Sequence, residues 1–169
     1  MASITYKIKY KYQHGSGTEV TVNHTIAELA NEYSWANGNY YTDFDLDYEN
    51  ATPVVNIKAL QDEETTYQGY YHAATQTWRM YQYSFRKNGH IVISVNTPGS
   101  YYIKEVKITY TPYNDGYLTD PSYTETYDSD EVIEVDAYSF TTYVSKTSID
   151  TQQNGQARVT AISVTYVEV

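Results

Sequence analysis

The sequence contains no cysteine and little basic charge. Without cysteine the chain has no disulfide framework and no thiolate metal site, although this leaves the compartment open. It carries 11 Lys and Arg against 21 Asp and Glu, a net charge of −10. Nucleic acids and anionic membrane surfaces are bound through a basic footprint, so neither partner is expected.

Long apolar runs are also absent. No stretch of about 18 apolar residues occurs, so the sequence predicts no membrane-spanning helix. The start, Met1-Ala2-Ser3, leads directly into an alternating segment and shows neither an apolar signal core nor a cleavage site. We therefore expect a protein that is used without ordinary export, or a module excised from a longer protein.

The sequence also lacks the motifs of common enzyme classes. It contains no Gly-x-Ser-x-Gly, no phosphate-cradling glycine loop and no His-Glu-x-x-His. Glycoside hydrolysis needs two carboxylates across a cleft, and no pair among the acids is singled out. The histidines show no metal-ligand spacing and are expected at the surface: His14, His24, His72 and His90. We predict a protein without catalytic activity.

Tyrosine is the most prominent aromatic residue in the sequence, with 22 Tyr against 3 Phe in 169 residues. The tyrosine ring gives a large contact area, and its hydroxyl can stay in water. A tyrosine-rich chain can therefore pack the faces of β-sheets and still leave aromatic surface for a partner. This composition favours a binding or structural protein over an enzyme.

Alternating residues predict an N-terminal β-hairpin. Apolar and aromatic side chains fall on one side of residues 4–12, and Lys7, Lys9 and Lys11 fall on the other. A glycine-containing loop follows, and Val20 and Val22 resume the alternation. We interpret residues 1–24 as a hairpin extension and residues 25–169 as the main domain, with the lysines on a solvated strand face.

One short helix is predicted after this hairpin. Thr25 and Glu28 form a capping box, in which Thr25 is the N-cap. Apolar residues then recur at helical spacing from Ile26 to Tyr33. The helix is expected to end near Ser34, before the Asn37-Gly38 turn.

The rest of the chain reads as short strands separated by turn signals. This pattern is typical of an all-β sandwich or barrel. Positions four, six and eight of residues 103–110 and 159–166 each place two β-branched residues and a tyrosine on one face, which predicts two equivalent inner strands. The predicted strands are 40–48, 54–60, 67–72, 77–84, 90–96, 102–111, 123–127, 131–136, 138–144 and 157–167.

Several short segments occur in a recognisable order from about residue 25 to the end. They are the helix before Trp35-Ala36-Asn37-Gly38, Tyr67-Gln68-Gly69-Tyr70-Tyr71, Trp78-Arg79-Met80-Tyr81, the 91–95 strand, the strands ending at Tyr110 and Tyr166, and Asn154-Gly155-Gln156. In this order the chain resembles jelly-roll β-sandwich modules of bacterial surface and secreted proteins and of phage virion proteins. The resemblance implies a jelly-roll β-sandwich with a carbohydrate-binding, adhesive or virion role.

The aromatic segment at residues 67–83 is the predicted ligand-binding site. Sugar rings present apolar C–H faces ringed by hydroxyls, which suit flat aromatic rings beside guanidinium and amide groups. Alternation places Trp78 and Met80 on a core face and Arg79, Tyr81 and Tyr83 on the opposite face. The alternative is that several of these rings fill the core. The predicted binding residues are Tyr70, Tyr71, Arg79, Tyr81 and Tyr83.

Three alternating carboxylates form a second candidate site, for calcium. Asp43, Asp45 and Asp47 lie on one predicted strand face, and calcium prefers such oxygen ligands. Same-face neighbours on a strand are about 6–7 Å apart, so one ion would need further loop ligands. A solvated acidic face is the alternative, as it is for the loop at residues 128–131.

Two functions remain open at this stage. The first is a non-catalytic binding or adhesion module that recognises carbohydrate or a surface partner. The second is a virion component, such as a capsid-decorating, auxiliary capsid or fibre protein, working through protein–protein contacts, because tyrosine is favoured at interfaces. Both predict an extracellular, cell-surface or virion location. The expected partner is a glycan or protein surface, and a homo-oligomer or larger particle is possible.

Overall fold

Nearly all regular structure in this protein is β-strand. The computed structural model describes residues 17–46, 53–62, 67–82, 88–147 and 154–169. The elements in these ranges are β1 (Glu19–Thr25), α1 (Ile26–Glu32), β2 (Asp43–Asp45), β3 (Val55–Gln61), β4 (Tyr70–His72), β5 (Thr77–Gln82), β6 (Gly89–Val95), β7 (Tyr101–Tyr113), β8 (Gly116–Thr119), β9 (Thr126–Tyr127), β10 (Ile133–Ala137), β11 (Ser139–Lys146) and β12 (Gly155–Glu168).

The strands form two six-stranded antiparallel sheets that pack on each other. Sheet A has the order β10-β7-β12-β5-β4, and β1 also pairs with β12. Sheet B has the order β2-β3-β6-β11-β8-β9. The predicted all-β sandwich is therefore confirmed. The jelly-roll connectivity stays a prediction.

The two longest strands, β7 and β12, are neighbours at the centre of sheet A. Ile108 lies opposite Ile162, and Val106 lies opposite Val164. These side chains are buried, as are Tyr110 and Tyr166. The similar segments in the sequence are thus two equivalent inner strands, as predicted. Their shared pattern arises because both present the same face to the same core.

The capping box at Thr25 begins the helix α1 as predicted. The Thr25 hydroxyl accepts a hydrogen bond from the Glu28 backbone N–H at 3.1 Å, which satisfies one of the open donors of the first turn. Ile26 and Leu29 are fully buried against the sandwich. Among the described residues, no helix is long and apolar enough to cross a membrane.

Aromatic side chains fill one end of the core. Trp35 stacks on Tyr41 with ring centroids 4.5 Å apart, and its edge meets Phe44 at 5.0 Å and Tyr71 at 5.7 Å. Trp78 is fully buried, and its indole N–H donates to the Tyr41 carbonyl at 2.9 Å. Burying this N–H costs little free energy only because it has a hydrogen-bond acceptor.

The chain enters β4 through Gly69, in a conformation that only glycine adopts easily. Gly69 has a φ of +77°, and a Cβ there would lie 2.3 Å from the Tyr41 carbonyl oxygen. The strand predicted at residues 67–72 is for this reason shorter and begins at Tyr70. The alternation of apolar and polar residues in the sequence gives no sign of this backbone requirement.

Gln68, just before the start of β4, takes the place of a strand partner for β5. Its side-chain oxygen accepts from the Tyr81 backbone N–H at 2.7 Å, and its amide donates to the Tyr81 carbonyl at 3.1 Å. The amide also donates to Gln61 Oε1 at 3.1 Å. The fully buried Gln68 side chain thereby extends the hydrogen bonding of β5 beyond its neighbour.

The strand β1 belongs to sheet A. It pairs along its length with β12, from Glu19 opposite Val167 to Thr25 opposite Ala161. Residues 19–24, predicted as the second strand of the hairpin extension, thus form a strand that pairs with the main domain. The other predicted strand of that hairpin, at residues 4–12 with Lys7, Lys9 and Lys11, lies outside the described residues.

Candidate binding face on the outer side of sheet A

Register places two arginines side by side on the outer face of sheet A. Arg79 on β5 is the cross-strand partner of Tyr70 on β4 and of Arg158 on β12. Their chain neighbours Trp78 and Val159 are fully buried in the core. Because successive strand residues point to opposite faces, the row formed by Tyr70, Arg79 and Arg158 faces outward.

A tyrosine cluster lies at the β4 end of this row. The segment before β2 runs along β4, since the Tyr71 N–H donates to the Asn39 carbonyl at 2.9 Å. This contact brings Tyr40 to Tyr70, with ring centroids 5.4 Å apart, and Tyr40 also meets Tyr67 at 5.9 Å. Tyr40 is 43% exposed and Tyr67 is 50% exposed. Burial and the neighbouring phenols raise the pKa of Tyr40.

Neutral side chains hold Arg79 in place. Its Nε donates to Thr77 Oγ1 at 3.2 Å, and its Nη2 lies 3.5 Å from Thr75 Oγ1. The guanidinium carbon lies 5.9 Å from the centre of the Tyr70 ring. This distance is within the range of a cation–π contact. Arg79 therefore leans towards β4, away from Arg158.

Arg158 leans the other way, towards β7. Its guanidinium carbon lies 3.8 Å from the centre of the Tyr113 ring, and its Nε donates to Gln156 Oε1 at 3.0 Å. Burial lowers the pKa of Arg158, and the positive charge of Arg79 lowers it further. Tyr113 is 42% exposed. The two guanidinium groups are thus held apart, each on its own tyrosine.

No carboxylate of the described residues forms an ion pair with either arginine. This is notable in a chain with a net charge of −10. We refer to the six side chains as the tyrosine–arginine face: Tyr40, Tyr67, Tyr70, Arg79, Tyr113 and Arg158. It combines exposed aromatic rings with cationic hydrogen-bond donors on a rigid sheet.

The structure brings together only part of the predicted site. Tyr70 and Arg79 lie on the tyrosine–arginine face. Tyr71 does not, because it is the chain neighbour of Tyr70 on β4 and points into the core, with 6% exposure. Tyr81 faces outward opposite Gln156 but is only 8% exposed, so the expectation of an exposed ring was wrong. Tyr83 lies outside the described residues.

Sequence reasoning missed Tyr40, Tyr113 and Arg158 as members of the face. Tyr40 reaches it through a turn, and Arg158 reaches it through pairing between strands that are distant in the chain. Local alternation carries no information about such pairing. The only signal in the sequence was the outward position of Arg158, between two small apolar residues that face the core.

The acidic strand predicted to bind calcium is bridged by an amide. Asn56 Nδ2 donates to Asp43 Oδ1 at 2.7 Å and to Asp45 Oδ1 at 3.1 Å. Asp47 lies outside the described residues. In the described part of the chain, no three His, Cys, Asp or Glu side chains gather as a metal site would require. Calcium binding stays a prediction.

Other acidic side chains act locally. Asp130 pairs with Lys107 at 3.4 Å. Asp120 closes the turn after β8, because one carboxylate oxygen accepts from the backbone N–H groups of Thr124 at 2.7 Å and Glu125 at 2.6 Å. These hydrogen bonds lower the pKa of Asp120 from 3.8 to about 2.

Sheet B carries a smaller aromatic cluster on its outer side. His90 stacks on Tyr143 with centroids 4.5 Å apart, and Tyr123 meets Tyr143 at 5.7 Å. Asn88 donates to the Tyr123 hydroxyl at 2.9 Å. Burial lowers the pKa of His90, while Asp62 at 3.5 Å opposes that shift. No arginine among the described residues contacts this cluster, and we regard it as secondary.

Comparison with known proteins identifies no relative. The chain matches no family model, no curated protein and no solved structure. The function must therefore be argued from the geometry of the tyrosine–arginine face itself.

Proposed function

We propose that this chain is a non-catalytic binding module that recognises a carbohydrate through the tyrosine–arginine face. The observation that carries the proposal is the gathering of exposed tyrosines around two arginines on one sheet face. Tyr67, Tyr40 and Tyr113 are 50%, 43% and 42% exposed. Exposed aromatic rings grouped in this way favour a ligand with apolar faces and polar edges.

A saccharide fits this chemistry. Its C–H faces can stack on the rings of Tyr67 and Tyr113, while its hydroxyls can accept from the guanidinium groups of Arg79 and Arg158. The face is held by antiparallel pairing from β4 through β7. Little conformational entropy is therefore lost when a ligand binds.

Catalysis is not part of the proposal. Glycoside hydrolysis uses paired carboxylates on either side of the scissile bond. The tyrosine–arginine face offers phenol and guanidinium groups instead, which bind and orient a ligand. We propose a setting at a cell or particle surface, where such recognition supports adhesion.

The proposal is tested by screening the protein on a glycan array and by affinity electrophoresis in polysaccharide gels. We expect retention on at least one saccharide and its loss in Tyr67→Ala. The matched control is Tyr123→Ala, because Tyr123 is 48% exposed and lies on the secondary cluster of sheet B. This variant should bind like the wild type.

Two results would contradict the proposal. One is the absence of retention on every saccharide tested. The other is retention that Tyr67→Ala and Tyr123→Ala weaken equally, since binding would then not be located on the tyrosine–arginine face. Self-association in sedimentation experiments that Tyr67→Ala abolishes, without any saccharide binding, would instead support the role in a larger assembly.

A further inference from the structure

The pairing of Arg79 with Arg158 is unfavourable for the free protein. As direct cross-strand partners, they have Cβ atoms about 5 Å apart, and like charges in this position destabilise a sheet. Burial lowers the pKa of Arg158, and the positive charge of Arg79 lowers it further, as expected when two like charges repel each other. The remaining described residues supply no carboxylate to relieve this repulsion.

The local contacts hold the two guanidinium groups in place without neutralising their charges. Each arginine uses its Nε to bind a neutral side chain two residues earlier on its own strand, Thr77 for Arg79 and Gln156 for Arg158. Each guanidinium then leans onto a tyrosine on the far side, Tyr70 or Tyr113. Two fixed cations are thus presented on either side of a common space.

We propose that the space between Arg79 and Arg158 binds the anionic group of a saccharide, a carboxylate or a sulfate. The ligand class of the tyrosine–arginine face is then an anionic saccharide. This inference rests on the proposed function and specifies its ligand. An anion held by both guanidinium groups forms charge-assisted hydrogen bonds and removes the repulsion between them.

The surroundings favour a saccharide over a nucleic acid. Tyr70 and Tyr113 lie on the outer sides of the two arginines. In an oligosaccharide with an acidic sugar between the arginines, the neighbouring sugar rings would lie over these tyrosines. The rest of the protein is acidic, with a net charge of −10. A continuous phosphate backbone would be repelled, whereas a few acidic groups aligned with the arginine pair would not.

Isothermal titration calorimetry on the full chain tests the inference with four ligands. They are a neutral glucan oligosaccharide, an oligogalacturonate, a sulfated heparin oligosaccharide and single-stranded DNA. The variants are Arg79→Gln and Arg158→Gln. The control is Lys58→Gln, which removes the same charge from an exposed position on β3 of sheet B.

We expect one of the two acidic saccharides to bind. Comparison of the oligogalacturonate with the heparin oligosaccharide shows whether the site prefers a carboxylate or a sulfate. Each arginine variant should lose about tenfold or more in affinity for it, and Lys58→Gln should lose little. Wild-type affinity should fall as salt is raised. Circular dichroism and the melting temperature of each variant verify that the fold is intact.

The possible failures are distinguishable. Binding of the neutral glucan as tightly as the acidic ligands, unaffected by Arg79→Gln and Arg158→Gln, would overturn this inference and leave the proposed function standing. An equal loss of affinity in Lys58→Gln would show that the effect arises from net charge alone, and it would also overturn this inference. Comparable binding of single-stranded DNA would contradict the saccharide assignment. Binding of no saccharide would overturn both proposals.

Discussion

Truncation of Gln68 to alanine should destabilise the protein far more than a surface glutamine variant would. Gln68→Ala removes the acceptor of the Tyr81 N–H and the donor to the Tyr81 carbonyl, at 2.7 and 3.1 Å. Leaving a buried backbone group without a partner costs about 1–3 kcal/mol. Two such groups predict a loss of about 2–5 kcal/mol in the free energy of unfolding.

The loss is measured by urea unfolding followed through tryptophan fluorescence, with Gln61→Ala as the control. Gln61 accepts the third hydrogen bond of the same amide, at 3.1 Å, but does not contact the Tyr81 backbone. We expect Gln61→Ala to cost about 1 kcal/mol or less. Gln68→Ala should lower the melting temperature by roughly 5–15 °C in a chain of this size.

A second variant gives an independent test through Gly89. A Cβ at this position would lie 2.1 Å from Gln68 Oε1, so Gly89→Ala should displace the Gln68 amide and break the same hydrogen bonds. Truncation of Gln68 removes the three atoms that lie nearest to the new Cβ. The double variant Gln68→Ala/Gly89→Ala should therefore cost clearly less than the sum of the two single variants. Additive losses, or a Gln68→Ala loss no larger than that of Gln61→Ala, would refute the reasoning.

The remaining predictions concern the backbone, acid stability and the arginine pair. Gly69→Ala should cost about 2 kcal/mol or more by urea unfolding, because of its positive φ and the 2.3 Å approach to Tyr41; no loss would contradict that reading. Asp120 has its pKa lowered from 3.8 to about 2, so it contributes stability above pH 3.8 that disappears as the pH falls towards 2. Asp120→Asn should therefore flatten the stability–pH profile in that window, and an unchanged profile would speak against it. Without ligand at low ionic strength, Arg79→Gln should leave the free energy of unfolding unchanged or raise it by up to about 1 kcal/mol, because it removes the repulsion from Arg158. A clear loss of stability in this variant would contradict the view that the two arginines repel each other.

Local periodicity was sufficient to predict which side chains form the core. The sequence shows the two-residue repeat of a strand, so Trp78 and Met80 were assigned to the core correctly. The same rule, applied consistently, would have excluded Tyr71 from the site. Adjacent strand residues point to opposite faces, so Tyr70 and Tyr71 cannot both line one surface.

The composition of the binding face could not be predicted in the same way. It depends on which strands pair and in which register, and these are long-range properties of the sheet. Arg158 comes to Arg79 only because β12 lies beside β5, and Tyr113 joins them only because β7 lies beyond β12. The aromatic segment at residues 67–83 therefore predicted the side of the tyrosine–arginine face with Tyr70 and Arg79, but not the side with Arg158 and Tyr113.

Two cross-strand pairs of the described sheet A bring like charges together, Arg79 with Arg158 and Glu105 with Glu134. Other demanding positions have specific partners: Gln68 hydrogen-bonds the Tyr81 backbone, and Asn56 bridges neighbouring carboxylates. At Arg79 and Arg158 the two like charges are held by neutral groups and lie beside aromatic rings. An anion bound between the two arginines would remove that repulsion. The arginine pair is therefore where the recognition hypothesis is best tested.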